Sequence, residues 1–192
     1  MSVPVARLAS VTVPITTDRL TIRAFAESDL DAAHSYHRLP EVTRFLYWPP
    51  RTREETAAAI AKRMATTELR HPGDGVCYAV ELRETGTLLG EVNLILHRLE
   101  PRTGEFGFIF NPAHHGRGYA SEAALEMLRL GFEHYDMHRI IGRCEASNAA
   151  SAGLMTKLGM RQEAHFVRNE FVKGEWNSEL DFAMLADEWR AR

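Results

Sequence analysis

The chain has 192 residues, 45% of them hydrophobic and 26% charged, with a formal net charge of −3. That make-up describes one globular domain with enough chain to bury its own core, and it excludes disordered and fibrous classes. The faintly acidic balance gives no general attraction to nucleic acid or anionic membrane, and no run reaches the ~20 apolar residues needed to span a bilayer.

Residues 1–16 are interrupted by Pro4 and Pro14 and show no clear apolar stretch of a signal peptide. They read as an N-terminal arm or short leader strand on a single domain, 17–192, in the cytoplasm. Leu20, Ile22 and Ala24 alternate with Arg19, Thr21 and Arg23, which predicts a half-buried strand over Arg19–Phe25. Ser28 is the expected N-cap of a helix from Asp29 to Arg38. The aromatic, proline-marked stretch Phe45–Pro50 follows as a loop, and Tyr47 and Trp48 there are candidates for the wall of a substrate pocket. Thr52 and two glutamates open a second helix, Arg53 to Leu69, closed by the turn cluster His71–Gly75.

Three strand-like runs come next: Val76–Leu82, Leu88–His97 and Gly104–Phe110. Glu84-Thr85-Gly86 predicts a hairpin turn and Glu100–Thr103 a longer connection. From Gly118 to His134 the apolar residues Ala120, Ala123, Ala124, Met127 and Leu128 fall on one helical face. A strand, Arg139–Ala146, a helix from Asn148 to Leu158, and two strands, Gln162–Phe171 and Trp176–Leu185, complete the pattern. The order implies a mixed α/β fold with one sheet covered by helices.

The most informative segment is Phe106 to Ala124, where a strand runs through Gly116-Arg117-Gly118 into a helix. The first turn of a helix has unpaired N–H groups and a positive dipole end, and glycine lets backbone come close to phosphate oxygens. Neither GxxxxGK[ST] nor GxGxxG is satisfied, so P-loop and dinucleotide sites are disfavoured. Cys77 and Cys144 have no short-spaced partner and read as buried thiols in a reducing compartment. His114 and His115 are adjacent and would point to opposite sides of an extended chain. His134 and His138, although four apart, have Asp136 and an expected helix end between them, so these four and His165 give no metal site.

Four stretches, in order, resemble the GNAT N-acetyltransferase superfamily. They are Thr17–Arg23, Trp48-Pro49-Pro50 with Thr52 and Glu54-Glu55, His115–Ala120, and Asn148–Ser151 running to Lys157–Met160. His115 stands where the family signature has Gln or Arg, and Met160 where it has Phe. The resemblance covers Thr17 to about Leu185 and is nearest the RimJ/RimL-type branch. It implies a twisted, mostly antiparallel mixed sheet of six or seven strands, about four helices, and a V-shaped splay between strands four and five.

The resemblance also implies acetyl-CoA as co-substrate and direct attack by an amine. Pantetheine would pair with Phe108, Ile109 and Phe110. The pyrophosphate would rest on His115, Gly116, Arg117, Gly118, Tyr119, Ala120 and Ser121, with Asn148 also touching the cofactor. Ser151 would support the leaving thiolate. Glu170 would take the amine proton, with Glu105 the second candidate. The implied acceptor is a protein N-terminal α-amine, such as that of a ribosomal protein, and a homodimer is compatible with the branch. A small amine (polyamine or aminoglycoside), another acyl donor such as succinyl-CoA, and a non-catalytic acyl-CoA-binding module stay open. An α-amine of pKa ~7.8 is neutral in roughly one molecule in seven at pH 7, a lysine-like amine of pKa ~10.4 in only about one in 2,500, so the acceptor decides how strong a base is needed.

Overall fold

One sheet runs through the protein, and the computed structural model describes residues 11–192 of the chain. Among these, eight strands follow the spatial order β1-β2-β3-β4-β5-β6-β8-β7. They are β1 Ile15–Thr16, β2 Leu20–Arg23, β3 Gly75–Leu82, β4 Thr87–Leu99, β5 Arg102–Phe110, β6 Arg139–Glu145, β7 Arg161–Val172 and β8 Glu175–Leu185. Seven are those expected, and the eighth is the leader segment, where Ile15 pairs with Ile22. Residues 1–10 of the expected arm lie outside the described residues. Every neighbouring pair is antiparallel except β5–β6.

The helices are α1 Leu30–His37, α2 Pro40–Thr43, α3 Arg53–Ala65, α4 Tyr119–Arg129, α5 Ala149–Lys157 and α6 Ala186–Arg190. The four long ones fall where the periodicity predicts, although α4 stops at Arg129 and the rest of the expected helix, Leu130–His134, has π geometry. The short α2 and α6 are too brief to leave a periodic signature. Thr52 caps α3 as expected, accepting from the Glu55 N–H at 3.2 Å while Glu55 accepts from the Thr52 N–H at 2.8 Å.

Three local expectations are corrected. Ser28 is not an N-cap; it lies inside a 3₁₀ turn, Glu27–Asp29, and Asp29 accepts from the Ala26 N–H at 2.8 Å instead. The second helix ends at Ala65 rather than Leu69, because the chain turns so that Leu69 enters the core. The Glu100–Thr103 connection tightens, since Arg102 and Thr103 already pair with Leu99 and Arg98.

Alternation along the strands divides the sheet's two faces. Val92, Leu94, Phe106 and Phe110 join Met127, Leu128, Ile140 and Phe182 in the main core, beneath α4 and α5. On the opposite face α1 and α3 cover a smaller cluster built on Phe25, Tyr36, Ile60 and Ala79. The outer strands on that second face carry polar residues: Arg143 and Asp181 stand opposite each other, as do Glu145 and Glu179.

The parallel pairing is short. Thr103, Gly104 and Glu105 pair with Arg139, Ile140 and Ile141, and then the two strands part. Phe106, the next residue, is buried with its ring over Gly142. A Cβ at Gly142 would lie 2.7 Å from Phe106 Cε1 and 2.5 Å from Met155 Sδ. The ring and the thioether together hold the strands apart. Gly142→Val should therefore overpack the wedge and lower the free energy of unfolding by about 1–3 kcal/mol, read as a reduced urea midpoint.

Candidate active site

Where β5 leaves β6, a cleft of about 970 Å³ opens, lined by β4, β5, the starts of α4 and α5, the aromatic loop and the β7–β8 hairpin. Apart from Arg117, every sequence-predicted site residue lines it: Tyr47, Trp48, Glu105, Phe108, Ile109, Phe110, His115, Gly116, Gly118, Tyr119, Ala120, Ser121, Asn148, Ser151 and Glu170. Residues separated by over a hundred positions are thus brought to one place. Arg117 is exposed outside it, and its contribution is a carbonyl held by Arg19 at 2.9 Å.

Phe108–Phe110 pair with Gly90–Val92 on one side only. In an antiparallel ladder alternate residues turn their N–H and C=O away from the partner, so β5 offers hydrogen-bonding groups to the cleft. After Phe110, Asn111 caps a 3₁₀ turn by accepting from the Ala113 N–H at 3.1 Å. The His115 Nε2–H then donates back to the Phe110 carbonyl at 3.1 Å. This histidine therefore shapes the loop, a contact that Gln or Arg would not reproduce identically.

Gly116 and Gly118 have φ of +75° and +81°. That left-handed backbone costs a side-chain-bearing residue about 1–2 kcal/mol. Gly118 is the N-cap of α4 and supplies no side-chain cap. The first-turn N–H groups of Tyr119, Ala120 and Ser121 have no backbone acceptor among the described residues. A latch fixes this turn from behind. Glu122 accepts from the Thr17 hydroxyl at 2.5 Å and from Arg19 Nε at 2.7 Å, and the Arg19 guanidinium lies 4.7 Å from the Tyr119 ring centroid. The open donors, the dipole end and the missing Cβ atoms fit a pyrophosphate.

At α5, Asn148 caps the helix by accepting from the Ser151 N–H at 3.1 Å. The cap aims the first turn at the cleft and leaves the Ser151 hydroxyl free of any partner among the described residues.

The acceptor side is more polar than the sequence suggested. Glu105 is half-buried, its Oε2 3.3 Å from His97 Nε2. Burial raises its pKa, against the opposing pull of Arg143 and His97. His97 sits at a bulge in β4, between Leu96 and Arg98, and the extra residue turns its ring towards Glu105. Arg143 is paired with Asp181 at 2.8 Å. Glu179 is buried and accepts from the Tyr47 hydroxyl at 2.5 Å and from Asn169 Nδ2 at 2.7 Å. Burial and Glu179 push the Tyr47 hydroxyl's pKa up, which keeps it a donor. A bulge between Phe166 and Glu170 takes Val167, Arg168 and Asn169 out of the β7–β8 register, so that Asn169 reaches Glu179 and Glu170 lines the cleft.

Trp48 lines the cleft but is also packed, under the Arg51 guanidinium at 3.8 Å and edge-on to His37 at 5.3 Å. Beneath it Glu91 is buried between Arg63 and His37, with His37 Nε2 at 3.2 Å. Burial pushes the Glu91 pKa up, but Arg63 and His37 outweigh it and hold the group below the ordinary range.

Sequence reasoning missed Glu91, Asn93, His97, Arg143 and Glu179. One signal was present. In Gly90–Leu96, Glu91 and Asn93 interrupt an otherwise apolar central strand at alternate positions.

A family model described as an acetyltransferase (GNAT) domain matches residues 19–161. The chain belongs to the GNAT acetyltransferase family. It is 34% identical over 175 residues to the uncharacterized N-acetyltransferase YnaD of Bacillus subtilis, covering 91% of this chain and 98% of that protein. A GNAT-family acetyltransferase structure from Bacillus anthracis superposes with a TM-score of 0.80 at 32% identity, covering 91% of this chain and 99% of that one. The spermidine N-acetyltransferase of Vibrio cholerae, solved with CoA and spermine, shares the fold at 23% identity and a TM-score of 0.76, covering 91% and 99%. Acetyl-CoA is the acyl donor of this family, and no group of three or more metal-ligating side chains occurs among the described residues. No helix among those residues is long and apolar enough to cross a membrane.

The cradle supports a direct test. Gly118→Val introduces a Cβ 3.4 Å from Arg19 Nη2 at a φ of +81°. CoA affinity by calorimetry should fall roughly tenfold or more, the equivalent of 1.4 kcal/mol. Unchanged affinity would remove the pyrophosphate from this turn.

Proposed function

We propose that this protein transfers the acetyl group of acetyl-CoA to a primary amine on a small molecule carrying further positive charge, such as a diamine or polyamine. One observation carries the reading: the acceptor side of the cleft presents Glu105, Glu170 and Glu179. Glu179 is buried with only the neutral donors Tyr47 and Asn169 on its oxygens, so no paired cation neutralises it. A buried carboxylate without an ionic partner is costly, and an ammonium group entering the cleft offsets that cost. Arg143, whose charge reaches Glu105 and Glu179, is itself paired with Asp181; Arg44 and Lys157 also line the cleft, and neither forms a salt bridge with these carboxylates.

The chemistry follows from the same residues. An amine of pKa ~10.4 must lose a proton against roughly 4–5 kcal/mol at pH 7. Glu105 takes it in this reading, which is supported by its position where the splay begins and by the burial that raises its basicity. Glu170, on β7, lies farther along the cleft wall and serves as a cation-binding carboxylate in this reading. A backbone N–H of β5 polarises the thioester carbonyl, and Ser151 donates to the departing sulfur. Tyr47 roofs the acceptor side through its bond to Glu179, and Lys173 ties the end of α2, just ahead of that loop, to the hairpin by donating to the Thr43 carbonyl at 2.5 Å.

Thiol release from acetyl-CoA should be measured against spermidine, an aminoglycoside and N-terminal peptides, with succinyl-CoA as a second donor. The reading expects kcat/KM for the polyamine at least tenfold above that for any peptide. Peptides preferred over both small amines would instead support the protein N-terminal acceptor of the RimJ/RimL-type branch. Acetyl-CoA binding with no turnover of any amine would leave a non-catalytic acyl-CoA module. The pH profile tests the base. Because the Glu105 pKa is raised, its basic form is lost as pH falls through that raised value. Wild-type kcat/KM should show an acid limb above the usual carboxylate range, and Glu105→Gln should lower activity and abolish the limb.

A further inference from the structure

The polar face that carries Glu105 holds one more strand residue, Asn93, to which the steps above assign nothing. Asn93 on β4 stands opposite Gly107 on β5, next along the ladder from Ile95 opposite Glu105. The pairing of β5 with β6 has already ended at Glu105, so Asn93 lies beside the open part of the splay. It lines the same cleft as Glu105 and Ser151. Its side-chain oxygen is buried, and no described residue donates to it. Such an unsatisfied acceptor is costly in the free protein, and its strand neighbours Val92 and Leu94 are buried and apolar.

Gly107 makes the position possible. A Cβ built at residue 107 would collide with Asn93 Oδ1 and lie 3.3 Å from its Cγ. The carboxamide thus turns its oxygen edge towards the α-carbon of its partner, at the lip of the cleft. Glycine within a strand weakens it, and close approach of another group is one reason for its presence there.

We infer that the Asn93 Oδ1 accepts an N–H of the attacking amine and turns the nitrogen lone pair towards the thioester carbon; this rests on the amine-acetyltransfer reading above. A neutral primary amine has two N–H bonds and one lone pair. Glu105 has already taken the ammonium proton; Asn93 holds one of the two N–H bonds that remain, which stays in the product amide, and the lone pair forms the nitrogen–carbon bond as the carbon–sulfur bond breaks. The other proton passes to the departing sulfur, which leaves as a thiol hydrogen-bonded to Ser151. An alcohol has a single O–H, which the base consumes, so nothing remains for Asn93. The residue therefore selects amines over hydroxyl acceptors and fixes attack geometry. It is a specificity-determining residue, and the orphaned oxygen is satisfied only when the acceptor is in place.

The test measures kcat/KM for whichever amine of the panel the wild-type protein acetylates fastest, together with acetyl-CoA affinity, amine-independent thiol release and thermal midpoint. Asn93→Ala should lower kcat/KM for the amine ten- to a hundredfold. Acetyl-CoA affinity and amine-independent thiol release should stay within about twofold. The midpoint should hold or rise, because an unsatisfied buried acceptor is removed. Gly107→Ala, which displaces the carboxamide, should show the same loss, and the double variant should lose no more than either single one. Amine kcat/KM within twofold of wild type in Asn93→Ala would overturn the inference while leaving the acetyltransferase reading intact. A loss that tracks acetyl-CoA affinity, or additive losses in the double variant, would overturn it too. If the wild type acetylates no amine of the panel, the underlying reading fails first and this inference with it.

Discussion

Parallel pairing between β5 and β6 stops after three residue pairs, and the rest of the molecule is arranged around that interruption. A strand edge exposed in the middle of a sheet leaves backbone donors and acceptors without partners, which a folded chain normally avoids. Here the opening is enforced by packing: Phe106 and Met155 occupy the space above Gly142 that a continued ladder would need. The edge so created leaves backbone donors and acceptors of β5 open to the cleft. The wedge, the glycine turn and α4 follow one another along the chain, so the open strand edge and the open helix start are consecutive stretches of β5 and its continuation.

The two faces of the sheet have different tasks. One is apolar throughout and carries α4 and α5, which anchor the cofactor side. On the other, α1 and α3 cover only the first strands, and the uncovered strands hold Glu105, Asn93, Arg143, Asp181 and Glu179. Bulges in β4 and β7 aim His97 and Asn169 at this face. The acceptor side is therefore shaped by departures from regular pairing, whereas the donor side is shaped by a regular strand-to-helix turn.

That difference explains what was legible beforehand. The donor side depends on local sequence: glycines at 116 and 118 for positive φ, and Asn148 three residues ahead of the Ser151 N–H it receives. Those signals sit within a few residues of each other and could be read directly. The long helices and seven strands followed from periodicity for the same reason. Ser28 failed as a cap because Asp29, one residue on, bonds the Ala26 N–H and also pairs with Arg23, a contact set by the sheet. The acceptor side was mostly invisible because its pairs are distant: Tyr47 with Glu179 and Lys173 with Thr43 are joined only by topology. Bulges shift register without changing composition, so His97 and Asn169 could not be assigned a direction from alternation alone.

The most direct measurement is backbone hydrogen exchange with and without acetyl-CoA. Protection confined to Phe108–Phe110 and Gly116–Ser121 is expected, because these stretches hold the hydrogen-bonding groups that the splay and the helix start leave open. Acetyl-CoA that bound while leaving both stretches unprotected would contradict a donor site in the splay, and with it the placement of Glu105, Asn93 and Ser151 around the reacting carbon.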